Sequence, residues 1–148
     1  MLTSLLMLPV GFVGYQVFAA SVLVPDVELS VATDGDLLAF KPTTLVCPSG
    51  AHVSLTFFHT GKYIRQEHDW VLTVPGQAAA VAKTGLKAGE RAGYLRPGDR
   101  RVLAATRLCG KGEQVSVQFT APSPGSYPFM CSYPGHGEFM RGVLNVTP

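Results

Sequence analysis

The chain has 148 residues, 47% of them hydrophobic and 15% charged, with a formal charge of +2. That balance excludes a disordered chain, which has too little apolar surface to bury, and so small and scattered a charge excludes the basic patch that nucleic acid binding needs. The length suits one domain with a real core, and 16 glycines with 11 prolines predict the frequent turns of an all-β protein.

Residues 1–25 carry no charged side chain, and Asp26 is the first. As a helix this stretch would span about 36 Å at 1.5 Å per residue, enough for a bilayer core of about 30 Å. Read as a cleaved signal peptide, it offers Val17-Phe18-Ala19 as a small-residue site, with residues 1–19 removed. It lacks a basic n-region, however, and stays apolar to Val24. Read as an uncleaved anchor, residues 1–25 hold the protein in a membrane. With no Lys or Arg ahead of the segment, the positive-inside rule has nothing to count. Both readings place residues 26–148, the single folded domain, on a periplasmic or other extracytoplasmic face.

From Val27 the pattern has a period of two. Val27, Leu29 and Val31 alternate with Glu28, Ser30 and Ala32, before a turn signal at Thr33-Asp34-Gly35-Asp36. Val53, Leu55 and Phe57 alternate with Ser54, Thr56 and Phe58, as a half-buried strand does. Residues 70–74 form an apolar strand-like run, whereas the alanine-rich residues 77–87 break the pattern and predict a short helix, a flap between strands. Strands resume at residues 101–108 and 114–119, with Val115, Val117 and Phe119 inward. They return at residues 126–131, where Pro128 restricts pairing, and at residues 142–146. About eight short strands with turns between them predict a Greek-key β-sandwich, with Trp70, the one tryptophan, between the sheets.

The chemistry gathers near the C-terminus. Cys131-Ser132-Tyr133-Pro134-Gly135-His136-Gly137-Glu138-Phe139-Met140 places a thiol, an imidazole and a thioether within ten residues, on a loop punctuated by Pro134, Gly135 and Gly137. Thiolate and imidazole with a weak thioether is the donor preference of a blue-copper electron-transfer site. That site needs a second imidazole, for which His68, just before the run at residues 70–74, is the natural candidate. His68, Cys131 and His136 would be the strong ligands and Met140 the weak axial one. A nucleophile–base pair of Cys131 and His136 fits poorly, because such pairs come from different elements and are oriented by a third group. Zinc would accept a thiolate and two imidazoles, but a thioether gives no reason to choose it. His52, in a strand, reads as a surface side chain.

The Cys-x4-His-x3-Met spacing, the Pro-Gly before the histidine and the upstream His-x-Trp together resemble the azurin family of cupredoxins. The likeness extends through Tyr94-Leu95-Arg96-Pro97, Arg101-Val102-Leu103-Ala104 and Gly110-Lys111-Gly112-Glu113, and covers about residues 27–146. It implies a cupredoxin sandwich holding one type 1 copper. It also implies that His59, before Thr60-Gly61, lies in a second layer rather than on the metal. Two positions depart from the family. Glu67 stands where a glycine carbonyl approaches copper, leaving a weak carbonyl contact without glycine's backbone freedom. Asp69 replaces an asparagine; with Ser132 and Tyr133 it would form the layer around the metal ligands, and its carboxylate can accept hydrogen bonds from the Ser132 region but cannot donate when ionised. The family's disulfide positions near the N-terminus lack cysteines here.

With Cys131 on copper, Cys47 and Cys109 remain as an even pair for a disulfide in an oxidising compartment. The expected work is one-electron transfer without substrate turnover, between redox protein partners such as a cytochrome or a membrane redox complex. Neither nucleic acid nor a small-molecule substrate is expected. Docking is expected on an apolar patch around the His136 ring edge, formed by Tyr133, Pro134, Gly135 and Phe139 and joined by Tyr63 and Ile64. A second expectation makes the chain a membrane-anchored cupredoxin subunit of a larger respiratory or photosynthetic complex.

Overall fold

The computed structural model of the protein describes residues 25–148. The apolar segment read as anchor or signal lies outside the described residues, apart from Pro25. The elements run β1 (Val27–Thr33), β2 (Phe40–Lys41), β3 (Thr44–Pro48), β4 (His52–Phe58), β5 (Val71–Thr73), α1 (Ala78–Ala88), β6 (Val102–Ala105), β7 (Gln114–Thr120), β8 (Gly125–Met130) and β9 (Arg141–Thr147). One sheet has the order β2-β1-β4-β7 and the other β3-β9-β8-β5-β6. Their inner faces make one core, in which Val31, Leu55 and Phe57 meet Leu45, Phe129 and Leu144.

Strand β4 shows why the alternation folds this way. Its odd positions, Val53, Leu55 and Phe57, are at most 1% exposed, while its even positions stay half-buried. Burying a side chain of this size is worth about 1.5–3 kcal/mol, so slipping the register by one residue would forfeit that at each site. Strand β5 is buried at all three positions because both of its faces are covered. Leu72 points into the sandwich. Val71 packs outward with Met130 under Val81 of α1, in a second small core. The predicted helix is therefore a lid on the outer face of the five-stranded sheet.

Among the described residues nine strands are present rather than about eight. The two that the sequence pattern did not announce are β2, only two residues long, and β3, where a short Leu45–Cys47 alternation stops at Pro48. The strand expected over residues 101–108 is shorter, because Thr106 turns inward and its hydroxyl accepts from the Trp70 amide at 3.0 Å. Pro128 sits opposite Val143 of β9, while the β8–β5 ladder covers only Phe129 and Met130. Its missing N–H therefore falls where that ladder ends.

Cys47 and Cys109 are free thiols, both buried, and do not form the expected disulfide. Cys47 pairs with Val146, and Val146 with Gly125 at the start of β8. Cys109 forms a bridge with His68, at the end where β8 finishes. Five β-residues, roughly 17 Å at 3.3–3.4 Å each, separate those ends, and a disulfide requires Cα atoms about 4.4–6.8 Å apart. Pro25 also lies at the Cys47 end, beside His52 and Thr120.

Candidate metal centre

Four strand ends meet at one pole of the sandwich: the exits of β4 and β8 and the entries of β5 and β9. The chain positions beside them are His59, Cys131, His68 through Trp70, and Met140. The loop between Cys131 and Met140 is shaped by its own backbone. Tyr133 C=O accepts from His136 N–H at 3.0 Å across Pro134-Gly135, with Gly135 at φ 81°. This is a type II turn, with proline supplying φ at its second position and glycine the positive φ at its third. His136 C=O then accepts from the Phe139 and Met140 amides, and Cys131 N–H donates to Met140 C=O at 3.0 Å, closing the loop. His68 is held from the other side by two backbone hydrogen bonds with Cys109, at 3.0 and 2.8 Å.

These constraints bring three donors together. Cys131 Sγ lies 3.8 Å from His68 Nδ1 and 3.8 Å from His136 Nδ1, and the two nitrogens are 3.1 Å apart. The atoms surround a point about 2 Å from each, the reach of a first-row metal to imidazole (~2.0–2.1 Å) and slightly short of that to thiolate (~2.3 Å). Cys131 and His68 are at most 1% exposed, and His136 shows a 6% edge. Met140 is fully buried beside them. Asp69 is equally buried, but both of its oxygens are engaged by Ser132: Oδ1 accepts from the amide at 2.7 Å and Oδ2 from the hydroxyl at 2.5 Å. Among the described residues no carboxylate joins these three donors, and the remaining nearby donor is a thioether. The donor chemistry fits copper.

Burial decides the protonation states. It pushes the His68 imidazole down to about 4, helped by the neighbouring His136 and His59, and lowers that of His136. The Cys131 thiol is pushed well above its ordinary value, first by burial and then by the Asp69 charge; backbone N–H groups of Asp69 and Tyr133 oppose this in part. Burial also raises Asp69 to about 6, against its hydrogen bonds from Ser132. Without metal the three donors are neutral, and both imidazoles present free nitrogens at neutral pH. A bound cation reverses the cost of the thiolate.

Other expected positions fall as follows. Glu67 has an exposed side chain next to His68, and His52 is half-buried at the opposite pole. Phe139 is 65% and Tyr63 85% exposed, with Ile64, Tyr133 and Pro134 half-buried and Gly135 exposed. His59 is 2% exposed with its ring 4.7 Å from that of His68. Two features went unread in the sequence. Asp36 Oδ1 accepts the amides of Lys62, Tyr63 and Ile64 at 2.7, 2.8 and 3.1 Å, pinning the loop beside His59. Ser132 Oγ also approaches Gly93 C=O at 3.1 Å, so one hydroxyl hydrogen faces two acceptors and ties the flap region to the metal loop. No local spacing could announce either, since the partners are 26 or more residues apart.

Residues 26–147 match the family described as copper binding proteins, plastocyanin/azurin family. The azurin of Bordetella pertussis is 37% identical over 142 residues, covering 93% of this chain and 95% of that protein. Among solved structures, auracyanin A, a blue copper protein of the photosynthetic bacterium Chloroflexus aurantiacus, superposes with a TM-score of 0.76. It is 35% identical, over 81% of this chain and 98% of the other. Dithionite-reduced auracyanin from Roseiflexus castenholzii gives a TM-score of 0.75 at 34% identity, over 82% and 97%.

Proposed function

The chain belongs to the plastocyanin/azurin family of copper-binding proteins and is a blue copper electron-transfer protein; from that premise we propose that it shuttles single electrons between protein partners on the outer face of a membrane. His68, Cys131 and His136 would hold copper, with Met140 as a weaker fourth donor, and the bound copper would supply the one-electron couple. The observation that carries the reading is the preformed triangle of buried donors. Two backbone bonds to Cys109, the closed Cys131–Met140 loop and the Asp69–Ser132 pair fix these side chains, which keeps reorganisation small whichever charge the site carries. With each donor at most 6% exposed, the residues leave no open face for a substrate, which supports a carrier rather than an enzyme.

Residues 1–25 act as a membrane tether in this reading. Pro25 emerges at the pole opposite the metal donors, so a tether there turns the donor end away from the bilayer and towards partners in the aqueous space. Exposed Phe139 and Tyr63, with Tyr133, Pro134 and Gly135, form the apolar contact around the His136 edge. The runner-up is a fixed subunit of a larger membrane redox complex, supported by the same apolar segment. Absorption spectroscopy of the copper-loaded protein tests the centre: an intense red-region band, lost in Cys131→Ser, is expected, and its absence would overturn the reading. Stoichiometric co-purification from membranes with other redox chains would favour the runner-up.

A further inference from the structure

Contrary to the scatter expected from the composition, the charges of this protein are unevenly placed along the chain. Of its twelve Lys and Arg residues, six lie within residues 78–101: Lys83, Lys87, Arg91, Arg96, Arg100 and Arg101. Only two of the ten acids, Glu90 and Asp99, lie there, so this segment carries +4 while the rest of the chain stands at −2. Asp99 and Arg101 neutralise each other at 2.6 Å. The other five cations are exposed. A net charge of +2 therefore conceals a basic flap on a slightly acidic body.

The flap is also bound to the metal loop. Gly85 of α1 packs so closely on Tyr94 that a Cβ there would lie 1.8 Å from the Tyr94 oxygen. Tyr94 meets Tyr133 edge to face at 5.5 Å, and Tyr133 lies 4.6 Å from the ring of His136. Between α1 and the metal loop runs a groove of about 690 Å³, walled by Ala82, Leu86, Tyr133 and Pro134, with Lys83, Glu138 and Arg141 also lining it. Leu86 is 60% exposed on that wall. Tyr133 thus touches a metal-ligating imidazole with one part of its ring and lines an open apolar groove with another.

We propose that this groove and the basic flap extend the docking surface to fit an acidic electron-transfer protein, and that Tyr133 couples that extension electronically to His136. The proposal rests on the electron-carrier reading and deepens it, because the groove shares Tyr133 and Pro134 with the patch beside Phe139 and Tyr63 and continues it onto α1. Segregated charge steers an oppositely charged partner and fixes its orientation, with an effect that salt screens. An apolar groove gives the docked partner a dry contact once charge has brought it close. Glu67 and Glu90 lie near the Tyr94 phenol, so the attraction comes from the surrounding cations rather than from the port itself. A protein is favoured over anionic lipid because the face ends in the Tyr133 ring, tilted against the His136 imidazole, which serves electron exchange and not membrane adhesion.

The test uses the full chain in detergent micelles and a plant-type [2Fe–2S] ferredoxin, an acidic one-electron protein, as probe. Metal-free protein is titrated with oxidised ferredoxin at low and high salt. The triple variant Lys83→Glu/Lys87→Glu/Arg91→Glu is expected to lose at least tenfold in affinity at low salt. An equal charge change elsewhere, Lys41→Glu/Arg107→Glu/Lys111→Glu, should lose less than threefold; equal losses in the two would overturn the docking face. With copper-loaded protein and reduced ferredoxin at saturation, one electron passes from the cluster to Cu(II) and no proton moves. Tyr133→Leu is expected to slow that step tenfold, and Tyr133→Phe to stay within threefold of the parent. A Leu variant as fast as the parent would overturn the coupling role. Binding to vesicles with and without phosphatidylglycerol supplies the last arm. If the flap reversal abolishes only the preference for anionic vesicles and leaves ferredoxin binding intact, the cations serve lipid and the proposal falls. Because the binding arm needs no copper, its failure is separable from a failure of the electron-carrier reading.

Discussion

The His59 and His68 rings lie 4.7 Å apart, tilted by 40°, and both nitrogens of His59 are already engaged. Nδ1 accepts from the Gly61 amide at 3.3 Å, so Nε2 carries the hydrogen and donates to Gln66 C=O at 3.0 Å. His59 is thus a fixed plate against which the His68 imidazole rests. Truncation by His59→Ala should free His68 and weaken copper binding about 10- to 100-fold, as loss of outer-layer support does at other metal sites. Competitive chelator titration measures this, and unchanged affinity would show that the Cys109 bridge alone positions His68.

Asp69→Asn should raise the reduction potential. At pH 8 the native carboxylate is ionised, since burial raises it only to about 6, and a negative charge near the metal favours Cu(II). A unit charge several ångströms away at an effective dielectric near 20 is worth roughly 2–3 kcal/mol, on the order of 100 mV. The amide can still accept from the Ser132 N–H, so the loop geometry survives. Redox titration showing an equal or lower potential in the variant would reject the electrostatic account.

Met140→Leu should keep the colour and also raise the potential, because removing a weak donor disfavours the more highly charged ion. Met140 is fully buried with its backbone tied to Cys131 and His136, and leucine is close to it in volume, so the fold should lose less than about 1.5 kcal/mol. Complete loss of copper from this variant would contradict an axial role.

Gly85→Ala should destabilise the protein despite alanine's better helix propensity. A methyl group there meets the Tyr94 backbone at 1.8 Å, and Tyr94 cannot yield easily because it already holds φ 53° after Gly93 at φ 61°. Overpacking of this kind costs about 1–3 kcal/mol or more, against a gain of about 1 kcal/mol from replacing a helical glycine. Thermal unfolding should show a lower midpoint, and a higher one would mean that α1 is free to shift from the loop.

Alkali should destabilise the metal-free protein. Burial, aided by Glu113, raises the Cys109 thiol from 9.0 to about 11. A folded-state value above the unfolded one gives stability that is complete below about pH 9 and lost as pH rises towards 11. Two units correspond to roughly 2–3 kcal/mol. Cys109→Ala should flatten that part of the stability–pH curve, and an unaltered slope would assign the effect elsewhere. Thiol counting on the denatured, unreduced, metal-free protein should find three thiols, as Cys47 and Cys109 at opposite poles require.

What the sequence determined by itself was whatever short-range pattern encodes. Alternation in β4 shows a half-buried strand because side chains point to opposite faces every residue. Cys131, His136 and Met140 announce a metal loop because one type II turn at Pro134-Gly135 brings all three round the same curve. His68 was legible only through its neighbours, since no local spacing links it to a loop 63 residues away. The tertiary structure decided the rest, because it alone sets which distant atoms meet. It put Cys47 and Cys109 at opposite poles, set the His59 ring against that of His68, and engaged both Asp69 oxygens with Ser132. It also turned an alanine-rich helix into a lid whose Lys83 lines the same groove as Tyr133. Contacts between residues 26 to 68 positions apart depend on strand order and register across two sheets, and no periodicity within one segment can specify those.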